Sequence, residues 1–141
     1  MSDDLMPVEA LSTLIESWTV DNANALPVFV ALRDHLQGLA ETTLTVRARP
    51  GVSWSLRGTR NGSARPLFVL VDVIDDDPEG RWLSVCFYDA LLTDPEELGD
   101  MVPGGLMGEN ARCFDVDDPE DGEALAAYLC ARISEAWGNS L

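Results

Sequence analysis

The stretch TTLTVRARPGVSWSLR, Thr42 to Arg57, decides the fold class. Leu44, Val46 and Ala48 alternate with Thr43, Thr45 and Arg47, and Val52, Trp54 and Leu56 alternate with Ser53, Ser55 and Arg57. A period of two belongs to half-buried strands with one wet face. Pro50-Gly51 marks the turn between them. Parity constrains the hairpin, because a two-residue loop sets Val46 opposite Ser55, apolar against polar. A loop of odd length, three or five residues, lets Val46 face Trp54 and Leu44 face Leu56, with Gly51 left-handed.

Upstream the period is helical. Val8, Leu11, Leu14, Ile15 and Trp18 form one apolar stripe over Val8–Thr19. A second helix carries Phe29, Leu32, Leu36 and Leu39 on one face, with Asn24 as its N-cap and Pro27 in its first turn. Downstream, Leu67–Val71, extending toward Ile74, is apolar at successive positions and reads as a central strand covered on both sides. Asp75 to Gly80 is a solvated turn, and Trp82–Tyr88 is the returning strand. Leu92–Asn110, broken by Pro95, Gly99, Pro103, Gly104, Gly105 and Gly108, reads as a long loop of the kind that carries function or partner contact. Ala111–Val116 is a short fifth strand. Asp118-Pro119-Glu120-Asp121 opens a last helix with Leu125, Leu129, Ile133 and Trp137 on one face, stopped by Gly138. The expected architecture is a single α+β domain over residues 1–141. Its mostly antiparallel sheet has about five strands, packed by two N-terminal helices and one C-terminal helix.

The chain has 141 residues, a formal net charge of -16 and no Lys. Within Thr42–Val71 there is no Asp or Glu, yet the window holds Arg47, Arg49, Arg57, Arg60 and Arg65, so it contributes +5 and the remainder -21. Guanidinium groups beside Thr and Ser hydroxyls suit phosphate or carboxylate, and these five arginines are the candidate ligand-binding residues. The competing reading is that they neutralise acidic surface within the chain or across a subunit interface. Overall acidity argues against non-specific nucleic-acid binding. Asp72 interrupts an apolar strand, and burial there demands a partner, for which an arginine of the window is the candidate.

Other constellations carry less chemistry. Cys86, Cys113 and Cys130 are odd in number and widely spaced, which reads as buried reduced thiols. No metal set, catalytic nucleophile or general base can be named, and no cofactor is expected. Met101, Val102, Leu106 and Met107 read as an adaptable apolar lid or interface tongue. The lone His35 borders the second helix's stripe as a flank residue. The acidic N-terminus and the lack of a long apolar run lead to an expectation of a cytoplasmic protein with no membrane partner.

In element order the chain resembles the YdhG-like class of small uncharacterised domains. The matching parts are the Phe29–Leu39 helix, the strands Thr42–Arg49, Val52–Arg57, Leu67–Ile74 and Trp82–Tyr88, and the Asp118–Trp137 helix. The resemblance implies an α+β fold and no site. Two functions are consistent with these residues. One is a non-enzymatic, self-associating binding module whose arginine surface meets an acidic partner or a second subunit. The other is a small anionic-ligand binder or enzyme using Arg47 and Arg57, with the Gly-rich Met101–Met107 segment closing over it.

Overall fold

The computed structural model describes residues 5–141. Seven strands form one antiparallel sheet: β1 (Leu5–Pro7), β2 (Thr42–Arg49), β3 (Ser53–Arg60), β4 (Val69–Ile74), β5 (Trp82–Tyr88), β6 (Asp100–Leu106) and β7 (Glu109–Val116), in the order β1-β2-β3-β4-β5-β7-β6. Three helices accompany it: α1 (Leu11–Ser17), entered through a 3-10 turn at Val8–Ala10, α2 (Leu26–Gln37) and α3 (Gly122–Gly138). The five expected strands are present as β2, β3, β4, β5 and β7. The count is corrected to seven by the two edges, β1 and β6.

The loop of the β2–β3 hairpin has three residues, Pro50 to Val52, with Gly51 at φ 83°. Its register sits one residue later than expected. Val46 faces Leu56, Ala48 faces Trp54, and Val52 leaves the strand for solvent. β2 runs on through Arg49, so parity survives while each apolar pair shifts by one partner.

The register fixes two faces. Val46, Leu56, Val71, Val85 and Phe114 point to one side and, with Phe29, Leu32, Leu36, Leu129 and Ile133 of α2 and α3, make the core. Gly58 belongs to this side, where a Cβ would stand 3.2 Å from the Phe68 ring and 3.0 Å from Val69. The other side has no helix on it among the described residues. Along β4, Val69, Val71 and Val73 are buried while Leu70, Asp72 and Ile74 are half-buried. The expectation that this strand is covered on both sides is thereby corrected: its apolar run has one dry face and one open face.

Other local readings change too. Asn24 is not the N-cap of α2. It sits at φ 55°, and the Asp21 carboxylate accepts the Ala25 and Leu26 N–H groups, both at 2.9 Å. Pro119 precedes α3 rather than opening it, since the helix starts at Gly122. The long loop expected at Leu92–Asn110 shrinks to its first half. β6 pairs with β7, and the turn between them is Met107-Gly108, both at positive φ (51° and 81°), the type I′ geometry of two-residue hairpins. A bulge between Val102 and Leu106 absorbs Pro103-Gly104-Gly105, which an edge strand tolerates.

Residues 92–99 are clasped rather than loose. Asp94 accepts the Gly99 N–H (2.8 Å), the Leu98 N–H (3.0 Å) and the Tyr128 hydroxyl of α3, while Arg112 bonds Asp89 at 2.7 Å. Burial opposes the Asp94 charge, but the Tyr128, Gly99 and Leu98 hydrogen bonds and the Arg112 cation outweigh it and lower its pKa.

Asp75, read as part of a solvated turn, is instead 6% exposed and takes Arg81 Nε at 2.6 Å, with Arg81 equally buried. The turn itself begins only at Asp76.

Candidate interaction face

The open side of the sheet is the site the fold presents. Register reads off its rows of cross-strand neighbours directly. One row runs Arg47, Ser55, Asp72, Ser84, Asp115 across β2, β3, β4, β5 and β7. The adjacent row runs Thr45, Arg57, Leu70, Cys86, Cys113, Asp100 and ends on β6. A third holds Arg49, Ser53, Ile74 and Trp82.

Three of the five candidate arginines therefore share one patch. Arg47 and Arg57 are diagonal neighbours across the hairpin, and Arg49 lies two residues along from Arg47. Diagonal pairs on a sheet stand within reach of long side chains. Among the described residues, Arg47 Nε is buried with no hydrogen-bond acceptor. At the patch's inner margin the Ser55 hydroxyl donates to Asp72. The carboxylate's direct partner is thus a serine, and the expected arginines act as neighbours. Burial raises the Asp72 pKa, and the Ser55 bond and the Arg49 and Arg57 charges only partly offset it.

The remaining candidates lie elsewhere. Arg65 stacks over the Tyr88 ring at 4.5 Å and pairs with Glu109 at 3.0 Å, further along the open face. Arg60 turns to the helical side, where it lies 3.8 Å over the Trp137 ring and donates to the Trp137 carbonyl at 2.9 Å. Of the tongue residues, Met101, Val102 and Met107 are exposed and Leu106 is buried. They belong to β6 and its turn. Four strands, β3, β4, β5 and β7, stand between β2 and β6, so Arg47 and the tongue are roughly 24 Å apart at the usual strand spacing. The structure does not bring the arginines and the tongue together.

Two features were missed from sequence. The first is a disulfide. Cys86 and Cys113 are directly opposed on β5 and β7, with Cα atoms 4.1 Å apart, and are bonded. This corrects the expectation of three reduced thiols. The spacing of 27 residues says nothing once the β6–β7 hairpin folds back. Cys130 is the free thiol, half-buried, and burial pushes its pKa up.

The second is an acidic margin at the far end of the open face. Asp100 and Asp115 are exposed there, and the Asp115 pKa is raised by partial burial and by the neighbouring charges of Asp117 and Asp100. The alternation of Arg112-Cys113-Phe114-Asp115-Val116 holds that signal, legible once Phe114 is assigned to the core.

Two surface cavities lie toward the helices, the first reaching Asp115 at the margin of this face. One of about 260 Å³ sits between residues 96–98 and α3, against Phe114 and Tyr128, and one of about 500 Å³ lies between the N-terminal ends of α2 and α3. His35 bonds Ser134 Oγ at 2.8 Å across the α2–α3 contact, as a helix-flank residue does. No helix is long and apolar enough to cross a membrane among the described residues. No protein-family model, curated protein or solved structure matches the chain.

Proposed function

We propose that the protein is a non-enzymatic binding module whose open sheet face receives an acidic surface. The observation that supports this most directly is the one-sided cover of the sheet. All three helices lie on one side, and Arg47, Arg49 and Arg57 gather on the other beside half-buried Leu70, Ile74 and Trp82. An apolar centre flanked by arginines is the composition of protein-binding surfaces, where Arg and aromatic residues are enriched. Self-association and a cytoplasmic location belong to the same reading. In a reducing cytoplasm Cys86 and Cys113 stand as thiols, bonding only under oxidation.

A second reading, a phosphate or carboxylate site, is favoured by one observation, the buried Arg47 Nε that lacks an acceptor among the described residues. The two are separated by fluorescence anisotropy of a labelled poly-glutamate peptide at low salt and low micromolar protein. Binding that is lost in Arg47→Ser/Arg57→Ser and is untouched by millimolar inorganic phosphate supports the module. Competition by phosphate at stoichiometric occupancy supports the ligand site. Binding unchanged by the two substitutions, or none at all, overturns both.

A further inference from the structure

The open face is polarised, and its polarity has a geometric consequence. Apart from the Arg65–Glu109 pair and the Ser55-bonded Asp72, its basic residues, Arg47, Arg49 and Arg57, are on β2 and β3, and its acidic residues, Asp100 and Asp115, are on β6 and β7, with Asp117 just beyond. Between them, β4 and β5 supply Leu70, Ile74 and Trp82, with Asp72, bonded to Ser55, and Ser84 in the row of Arg47. Arg47 and Asp115 occupy the two ends of the same row, each two strands from β4.

We propose that the occupant of this face is a second copy of the chain, docked face to face about a two-fold axis that runs along the strands between β4 and β5, so that the arginine half of each copy covers the aspartate half of the other. This rests on the open face being the binding surface and names its partner. An axis along the strands exchanges the two ends of every row. Arg47 and Arg49 of one copy then lie over β6 of the other and Arg57 over β7, while β4 meets β5, with Ile74 over Trp82, Leu70 over Cys86 and Asp72 over Ser84 rather than over a second Asp72. An in-plane axis across the strands superposes β2 on β2 and sets arginine against arginine, so the charges select between the two docking modes. Isologous contacts of this kind are the commonest form of oligomer, and opposed sheets pack about 10 Å apart at small angles.

The charge crowding supports the same partner. Asp115 already feels Asp117 and Asp100 as repulsion, and an arginine from outside relieves it. Among the described residues Arg47 Nε lacks an acceptor, which an aspartate supplies. The area is modest. Five strands at about 4.8 Å by six residues at about 3.3 Å give roughly 480 Å² per copy, about 1,000 Å² in total, at the lower bound for a specific interface. A weak, reversible, salt-sensitive dimer follows.

The test is a charge swap read by sedimentation velocity at low salt. The wild type is expected to dimerise reversibly, with a dissociation constant that rises at least tenfold when salt is raised from 20 to about 500 mM, because screening shortens to a few ångströms. Arg47→Glu/Arg57→Glu makes both halves acidic, and Asp100→Arg/Asp115→Arg makes both basic. Each is expected to be monomeric alone, and an equimolar mixture is expected to form a one-to-one dimer. Should a reversal fail to fold by circular dichroism, Arg47→Gln/Arg57→Gln replaces it, with a low-salt dissociation constant raised at least tenfold and nearly independent of salt. A wild type that stays monomeric, a dimer indifferent to these substitutions, or a mixture that stays monomeric overturns the proposal. Poly-glutamate binding that persists with a monomeric wild type leaves the module reading intact with another partner.

Discussion

Replacing Arg81 by Met isolates the buried ion pair at the Asp75 turn. Arg81 and Asp75 are each 6% exposed, and their bond is 2.6 Å long. The second Asp75 oxygen takes the Trp54 Nε1–H at 3.3 Å and the Gly51 N–H at 3.4 Å. The carboxylate thereby ties the β2–β3 loop and the start of β3 to the turn before β5. Methionine keeps most of the stem volume and deletes the cation, leaving a buried carboxylate with two long neutral donors. Breaking one side of such a pair costs about 3–5 kcal/mol, mostly the unpaid solvation of the group left behind. Arg81 itself has a buried, unbonded Nη1 and stands 5.7 Å from the Trp18 ring, so its own loss is less than ideal pairing would give, and about 3 kcal/mol is expected. In Asp75→Asn/Arg81→Met the amide oxygen still serves Trp54 and Gly51 without a charge. The double variant is therefore expected within about 1.5 kcal/mol of wild type. Urea unfolding of the four proteins closes the cycle, with an expected coupling above about 1.5 kcal/mol. An Arg81→Met variant within about 0.5 kcal/mol of wild type would refute the reasoning, as would single effects that simply add.

Three further outcomes are expected. Reduction of the disulfide, or Cys86→Ser/Cys113→Ser, releases a 27-residue separation and lowers stability by about 3–4 kcal/mol in the chain-entropy picture; equal thermal midpoints with and without reductant would contradict it. For Asp72, burial first, opposed by Ser55, Arg49 and Arg57, raises the folded-state pKa. The native state then holds more protons than the unfolded one from about pH 3.9 up to that raised value. Asp72's contribution falls as pH rises through this window, so Asp72→Asn should raise neutral-pH stability by up to about 1 kcal/mol, the scale of a retained hydrogen bond, and flatten the pH profile there; a loss of stability at pH 7 would count against it. Asp94 has the opposite sign, since hydrogen bonds from Tyr128, Gly99 and Leu98 prevail over burial. Its contribution is present above the unfolded pKa and is lost as pH falls through the lowered folded value. Asp94→Asn should therefore cost about 1–3 kcal/mol at pH 7 and less near pH 2, with faster amide exchange over residues 94–99, and protection unchanged in that segment would sink the clasp.

The elements legible in the sequence are those whose pattern is set by burial on one side. β5 matches Trp82–Tyr88 at both ends because its apolar run is bounded by turn residues. The two missed strands are both edges. β1 is three residues ending in Pro7, and β6 contains Pro103-Gly104-Gly105. An edge strand needs only one row of hydrogen bonds, so residues that disqualify a central strand are tolerated there. Met107 hid the β6–β7 turn for a related reason. A type I′ turn advertises itself by Asn-Gly or Gly-Gly, and here a methionine holds the left-handed position in front of Gly108. Asp75 misled in the other direction. Three consecutive aspartates before a proline look solvated, and only Arg81, six residues on, draws the first of them inside.

The candidate face was half legible for a physical reason. Arg47, Arg49 and Arg57 stand out because their window has no acidic residue, and alternation alone puts them on one side of a hairpin. Charge within a hairpin is local, and sequence carries it. Whether Asp115 and Asp100 share that side depends on four and five successive registers counted from β2, and a one-residue slip in any of them reverses the answer. The disulfide pins one of those registers, since Cys86 opposite Cys113 sets Ser84 opposite Asp115. A bond that sequence spacing could not suggest therefore reinforces, where it forms, the β5–β7 pairing that ties the acidic margin to the arginine face. If reduction lets β7 slip against β5, Asp115 leaves the row of Arg47, and the polarity on which two-fold docking depends goes with it.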